Sequence, residues 1–392
     1  MALEVPRPKS KDLALLLENP YLAGRGAALK VERVQDLKVL AQPDPLHAPI
    51  REPLYGAVDS SPAAPPELSP GRGGVTFVDV VSQEAIDLSL DEAVFRQIGE
   101  ELRALGMDRP STEVTGALPD VPKNLSGGVD NRLRQGIQDL VGQHSWPEST
   151  LAYVGAYGRG SGTLIGNRLV LTAAHVMMDP SGATTWGTVV PRLDTLDTST
   201  GTQIEPYGSV TMTSGTFPTA FWSKGCYTAN APGDCLLYDW YVMILPADPW
   251  GSPSPGYMGY AWGTDADFNS WPSYGGGYPA CYGSGPIPPD CAAGDGDYTL
   301  RRDKQGSNFK TCTTFSFAQP SSTWPYAGEN GQVDHRCDTS PGNSGGGVWA
   351  YDYTVVATTV QHTFLTPTYG GRGPRVTADA ASYFSYLRST YP

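Results

Sequence analysis

Positive charge is scarce in this 392-residue chain: 27 Lys and Arg face 40 Asp and Glu, a net charge of −13. Binding a phosphate backbone needs a basic face, so nucleic acid is excluded as a partner. Long apolar runs are missing as well. No stretch approaches the ~20 consecutive apolar residues of a membrane-spanning helix, so no membrane partner is expected. The apolar run Leu13–Leu17 stops at Glu18 and is shorter than the ~7–15-residue core of a secretory signal. Metal-ligand spacing is also lacking. None of the six cysteines forms a CxxC pair, and none of the five histidines is spaced to complete a zinc site, so neither metal nor cofactor is expected.

Glycine and proline are abundant, at 46 and 35 residues, which favours short strands and turns over long helices. The cysteines at 226, 235, 281, 291, 312 and 337 all lie in the C-terminal part. An even, clustered set points to disulfides and an oxidising, extracellular location. Near-neighbour pairing (Cys226–Cys235, Cys281–Cys291, Cys312–Cys337) is the expected one of the roughly 15 connectivities possible for six cysteines.

Composition breaks near residue 128. Residues 1–128 hold 32 charged residues, two tyrosines, no tryptophan and no cysteine, whereas 129–392 hold all nine tryptophans and nineteen tyrosines. Linker-like runs at 60–74 and 116–128 flank one compact segment. There Ser89, with Glu92 three residues on, reads as a capping box. Val94, Ile98, Leu102 and Leu105 form an apolar stripe at helical spacing, and Gly106 is a stop. Residues 13–17 and 31–40 carry further helical signals. Residues 1–128 therefore read as a partly helical N-terminal accessory region. Residues 129–392 read as all-β, with strands expected over 150–157, 162–172, 238–245, 347–359 and 369–378, loops through 248–324 and a short helix at 380–387.

Three strings carry the chemistry: SGTLIGNRLVLTAAHV, ending just past His175; YDWYVMILP, with Asp239 before an apolar run; and HRCDTSPGNSGGGVW, with Ser344 among glycines. A serine hydroxyl is a weak nucleophile that needs an adjacent base, and a neutral imidazole suits that role. The imidazole in turn needs a buried carboxylate to fix its tautomer. Small residues beside the serine let backbone N–H groups reach a developing oxyanion.

TAAH, an Asp-led apolar strand and GNSGG, in that order, resemble the chymotrypsin-like serine proteases. SGTLIGNRLVLTAAHV and HRCDTSPGNSGG are most similar to the secreted bacterial trypsin-like and glutamyl-endopeptidase (V8-like) branch. The resemblance covers about residues 129–392 and implies two six-stranded antiparallel β-barrels, one carrying His and Asp, the other Ser. It implies Ser344 as nucleophile, His175 as base then acid, and Asp239 as the orienting carboxylate, with Asp234 as fallback. It also implies the N–H groups of Gly342 and Ser344 as oxyanion hole, an acyl-enzyme, and a protein or peptide substrate hydrolysed by a secreted monomer. VDNR at 129–132 looks like a mature start, so 1–128 is expected to be a propeptide cut near Gly128–Val129, making the chain a zymogen.

The S1 preference stays open. Asp338 stands where trypsin-like enzymes attract Lys or Arg, while Thr339 resembles the threonine that helps the V8-like branch bind glutamate. That branch has a histidine fifteen residues after the serine; here Thr359 is there and His362 lies three residues later. The disulfide many relatives place beside the histidine would need cysteines at 160 and 176, which are Gly160 and Val176. Asn343 replaces an aspartate, and Gly347 stands where proline is usual. Two other readings are an α/β-hydrolase, whose order is Ser, acid, His, and a silent protease-fold binding protein. His47, His144 and His335 have no supporting partner.

Overall fold

The computed structural model describes residues 9–25, 28–40, 72–111, 133–134, 146, 148–197, 202–228, 231–263, 267, 273–278, 308–312, 315–316, 332–335, 342–350, 354–358, 361–365 and 368–392. The fold is predominantly antiparallel β, with few helices, as expected. Ten strands make the largest sheet: β1 (Leu29–Asp36), β2 (Arg72–Asp79), β3 (Glu84–Asp91), β4 (Leu151–Gly155), β5 (Arg159–Gly166), β6 (Leu169–Thr172), β7 (Thr188–Pro191), β8 (Val210–Thr211), β9 (Ser214–Pro218) and β10 (Tyr241–Ile244). Their spatial order is β1-β3-β2-β9-β10-β6-β5-β4-β7-β8. The seven from β9 to β8, one more than expected, come from the region of the first expected barrel, and three strands of the N-terminal region extend the sheet to ten.

Strands β4, β5, β6, β9 and β10 are buried at every residue. Such continuous burial belongs to a sheet covered on both faces, and it explains the near-continuous apolar character of β4, β6 and β10. The C-terminal part contributes a six-stranded sheet that includes Ser273–Gly277, Gly347–Ala350 and Thr354–Thr358, and a four-stranded sheet that includes Gln361–Leu365 and Thr368–Pro374.

The N-terminal region departs from its reading. Residues 31–40 are not helical: β1 and the short strand Val39–Leu40 occupy them. Arg72–Gly74 open β2 rather than ending a linker. The helices α1 (Lys11–Leu17) and α2 (Glu92–Ala104) form, but α2 is capped by Asp91, whose carboxylate accepts from the Val94 N–H at 3.1 Å, while Ser89 belongs to β3. The buried face of α2 is Phe95, Ile98, Gly99 and Leu102, and Leu105 is 65% exposed. Gly106 does end the segment, at φ +79°. Further helices are α3 (Ala174–Met177), α4 (Thr219–Ser223) and α5 (Ala378–Thr390), the last longer than expected.

Candidate functional site

The pairing register brings the first two site residues together. β6 and β10 run antiparallel with Thr172 opposite Tyr241. His175, three residues past Thr172, and Asp239, two residues before Tyr241, therefore emerge at the same end of the strand pair. His175 sits in the single turn of α3 and is 6% exposed; Asp239 is fully buried. The Asp239 carboxylate grips His175 twice. Oδ1 accepts from the His175 backbone N–H at 2.9 Å, and Oδ2 meets the ring Nδ1 at 2.7 Å.

A carboxylate only accepts, so Nδ1 carries a proton, and in the neutral ring the lone pair is then on Nε2. Nε2 is buried and has no hydrogen-bond partner among the described residues. This is an imidazole with one nitrogen fixed and the other ready to take a proton. The fallback Asp234 lies apart from this pair, with its carboxylate held by Lys224 Nζ at 2.6 Å.

The turn carrying Ser344 packs directly on the strands that lead to His175. The Ser344 carbonyl accepts from the Ser161 N–H of β5 at 2.7 Å. Gly342 and Gly345 adopt left-handed φ of +92° and +87°, which L side chains seldom tolerate. A Cβ on Gly345 would also lie 2.1 Å from the Ser161 carbonyl oxygen and 2.2 Å from Thr172 Oγ1. Glycine there lets the serine turn press against the end of β6. The opening of the GNSGG string is tied as well: the Ser161 hydroxyl donates to the Gly342 carbonyl at 2.7 Å and accepts from the Tyr278 N–H at 2.7 Å. Ser161 is fully buried, so one hydroxyl serves two backbone groups of the C-terminal lobe.

Two of the departures near the site, at Gly160 and Gly347, have a packing reason. A Cβ on Gly160 would lie 2.7 Å from the Ser344 carbonyl oxygen and 2.8 Å from Val176 Cγ2. Positions 160 and 176 are therefore neighbours, and the Val176 side chain occupies the space beside Gly160. Gly347 donates its N–H to Thr163 Oγ1 at 3.0 Å, and a Cβ there would lie 2.6 Å from the same oxygen. Proline could neither donate nor fit.

Of the cysteines, Cys226 and Cys235 are joined, with Cα atoms 5.4 Å apart; the bridge closes the loop after α4. Cys281, Cys291, Cys337, Asp338, Thr339, Thr359, His47 and His144 lie outside the described residues, as do 60–71, 116–128 and VDNR. Cys312, His335 and His362 are described as strand backbone alone. Ser161, Thr163 and Tyr278 were missed as supports. Their signal was faint: Ser161 and Thr163 stand in the SGTLIG string, but only pairing in space reveals what they hold.

Among the described residues no group of three His, Cys, Asp or Glu side chains could hold a metal ion, and no helix is long and apolar enough to cross a membrane. No family model matches the sequence, and no curated protein matches it. Solved structures similar to this chain include a Glu endopeptidase in complex with MPD, with a TM-score of 0.46 and 18% identity over 67% of this chain and 98% of that one. A thermostable serine protease, AL20, from an extremophilic microorganism gives 0.41 and 14% over 61% and 96%. Protease Anisep from Arthrobacter nicotinovorans gives 0.41 and 16% over 62% and 98%.

Proposed function

We propose that this protein is a serine endopeptidase acting through His175, Asp239 and Ser344. The observation that carries the reading is the buried His175–Asp239 pair, bonded at 2.7 Å and 2.9 Å, with Nε2 unpartnered and the Ser344 turn packed against the same strand end. Ser344 Oγ attacks the scissile carbonyl carbon while His175 Nε2 takes its proton, and the carbonyl oxygen becomes an oxyanion. The N–H groups of Gly342 and Ser344 hold that oxyanion. As the C–N bond breaks, His175 returns the proton to the leaving amine. Water then repeats the attack on the acyl-enzyme, releasing the new carboxylate and regenerating Ser344. Asp239 stays ionised, keeping the imidazole in the right tautomer and stabilising the transient imidazolium.

The remaining elements of the proposal follow the sequence. The enzyme is secreted, monomeric and acts on protein or peptide. It is made as a precursor cut near Gly128–Val129, and Asp338, Thr339, Thr359 and His362 are the candidates for the S1 wall. Cleavage-site profiling on a peptide library separates them: P1 Lys/Arg selects Asp338, and P1 Glu selects Thr339 with His362. The test of the reaction is Ser344→Ala, expected to abolish peptide hydrolysis with an unchanged circular dichroism spectrum. Turnover surviving that change would overturn the mechanism.

A further inference from the structure

The N-terminal region is built into the body of the protein rather than laid upon it. β2 pairs antiparallel with β9 over five residues, Val75–Asp79 against Ser214–Pro218. Leu13 and Leu16 of α1 are fully buried in one cluster with Tyr386, Leu387 and Tyr391 of the C-terminus. Polar groups fix the same contact. Tyr391 Oη donates to the Asp12 carbonyl at 2.6 Å, Tyr386 Oη donates to the Leu16 carbonyl, and Asn19 Nδ2 donates to Thr390 Oγ1 at 2.6 Å. The Asp12 carboxylate accepts from the hydroxyls of Thr213 and Ser214 at 2.7 and 2.8 Å, with Arg168 Nη2 3.6 Å away.

Helix α2 seals against α5. Gly99 faces Ser382 so closely that a Cβ would lie 2.2 Å from Ser382 Oγ. Phe95 meets Tyr386 edge-on at 5.1 Å, and Arg96 grips Asp379 with bonds of 2.6 and 3.1 Å. Past the helix, the carbonyls of Met107 and Arg109 each accept from the Arg388 guanidinium at 2.6 Å. The Asp108 carbonyl accepts from the Tyr260 N–H at 3.0 Å.

The β2–β9 ladder runs toward the candidate site, with Val75 opposite Pro218, whereas the Asp12 anchor lies away from it. Arg168, which faces Asp12, precedes β6, and His175 follows its far end; four strand residues span roughly 13 Å. Near the His175 side, the N-terminal region contributes the Val39–Leu40 strand beside Thr184–Thr185.

We infer that residues 9–111 are a permanent part of the working protein: a cut in the 112–132 segment leaves them bound, giving two chains held without a covalent link. The statement about activity rests on the proposed peptidase function; the statement about retention does not. The test inserts a recognition sequence for a site-specific protease between residues 116 and 128 of the full chain and cuts it. Size exclusion and native mass spectrometry at sub-micromolar concentration then read the product. A single species with both fragments is expected, separable only in denaturant and still labelled at Ser344 by a fluorophosphonate. Separation of the fragments while 129–392 stays folded and labelled would overturn the inference. Retention without labelling would support it and count against the peptidase reading instead. Asp12→Ala combined with Arg96→Ala is expected to raise the concentration at which the cut halves separate at least tenfold; no change would overturn the assigned interface.

Discussion

Removing the Ser161 hydroxyl strips two backbone groups of their partner at once. In Ser161→Ala the Gly342 carbonyl and the Tyr278 N–H, each 2.7 Å from that oxygen, are left without it in a fully buried position. An orphaned buried group costs about 1–3 kcal/mol, so stability should fall by roughly 2–6 kcal/mol if neither finds water. The catalytic cost has a separate ceiling. Complete loss of an oxyanion donor costs about 2.7–4 kcal/mol; a loosened Gly342 still samples the productive geometry, so a part of that is expected. With ~1.36 kcal/mol per tenfold in rate, kcat should drop about 10–100-fold.

On the proposed mechanism the oxyanion donors act mainly in the transition state, so KM should change little. The assay pairs steady-state kinetics on a fluorogenic peptide with affinity for a peptide boronic acid, whose tetrahedral adduct uses the oxyanion hole. Ser161→Cys puts a larger, weaker donor in the same place, so it should behave like alanine in kcat. A melting temperature that falls while kcat and boronate affinity hold would refute the link between Ser161 and the oxyanion turn.

Three other outcomes follow from the same geometry. Asp239→Asn puts an amide NH₂ opposite one of two N–H donors on His175, favouring the tautomer with the proton on Nε2; kcat should fall about 10⁴-fold, measured on protein of unchanged secondary structure. Gly347→Pro loses the bond to Thr163 Oγ1 at 3.0 Å and adds an overlap, so denaturant titration should show a loss of at least ~2 kcal/mol. Burial pushes Tyr260 up to about 12 and raises Tyr241, Tyr383 and Tyr386 as well. Their folded pKa values exceed the unfolded value of about 10. Their contribution is therefore complete below pH ~10 and lost as pH rises toward 12. Phenolate absorbance at 295 nm should therefore rise in two stages, the accessible tyrosines first and the buried ones only as the protein unfolds.

Strands β4, β5, β6 and β10 and the site strings were legible because their signals are local, whereas β7, β8, β9 and Ser273–Gly277, the last inside an expected loop region, were not. An apolar run buried on both faces, a histidine after it and a glycine-flanked serine announce themselves within a dozen residues. The N-terminal strands were not. β1 reads LKVERVQD, with no clean alternation of exposure, as suits the outermost strand of its sheet. The hairpin β2–β3 turns through Gln83 at φ +57°, with neither Gly nor Asn to mark the turn. Helix α2 starts later than the capping-box pattern suggested because β3 runs on through Ser89 to Asp91, whose carboxylate then caps the helix. The pairing of β2 with β9 joins segments about 140 residues apart, which no local pattern encodes.

The most direct measurement is intact mass and peptide mapping after exposure to a fluorophosphonate. One adduct on Ser344 is expected, absent in Ser344→Ala and slowed by orders of magnitude in His175→Ala. No adduct, or an adduct on another serine with Ser344 untouched, would contradict a His175-activated nucleophile.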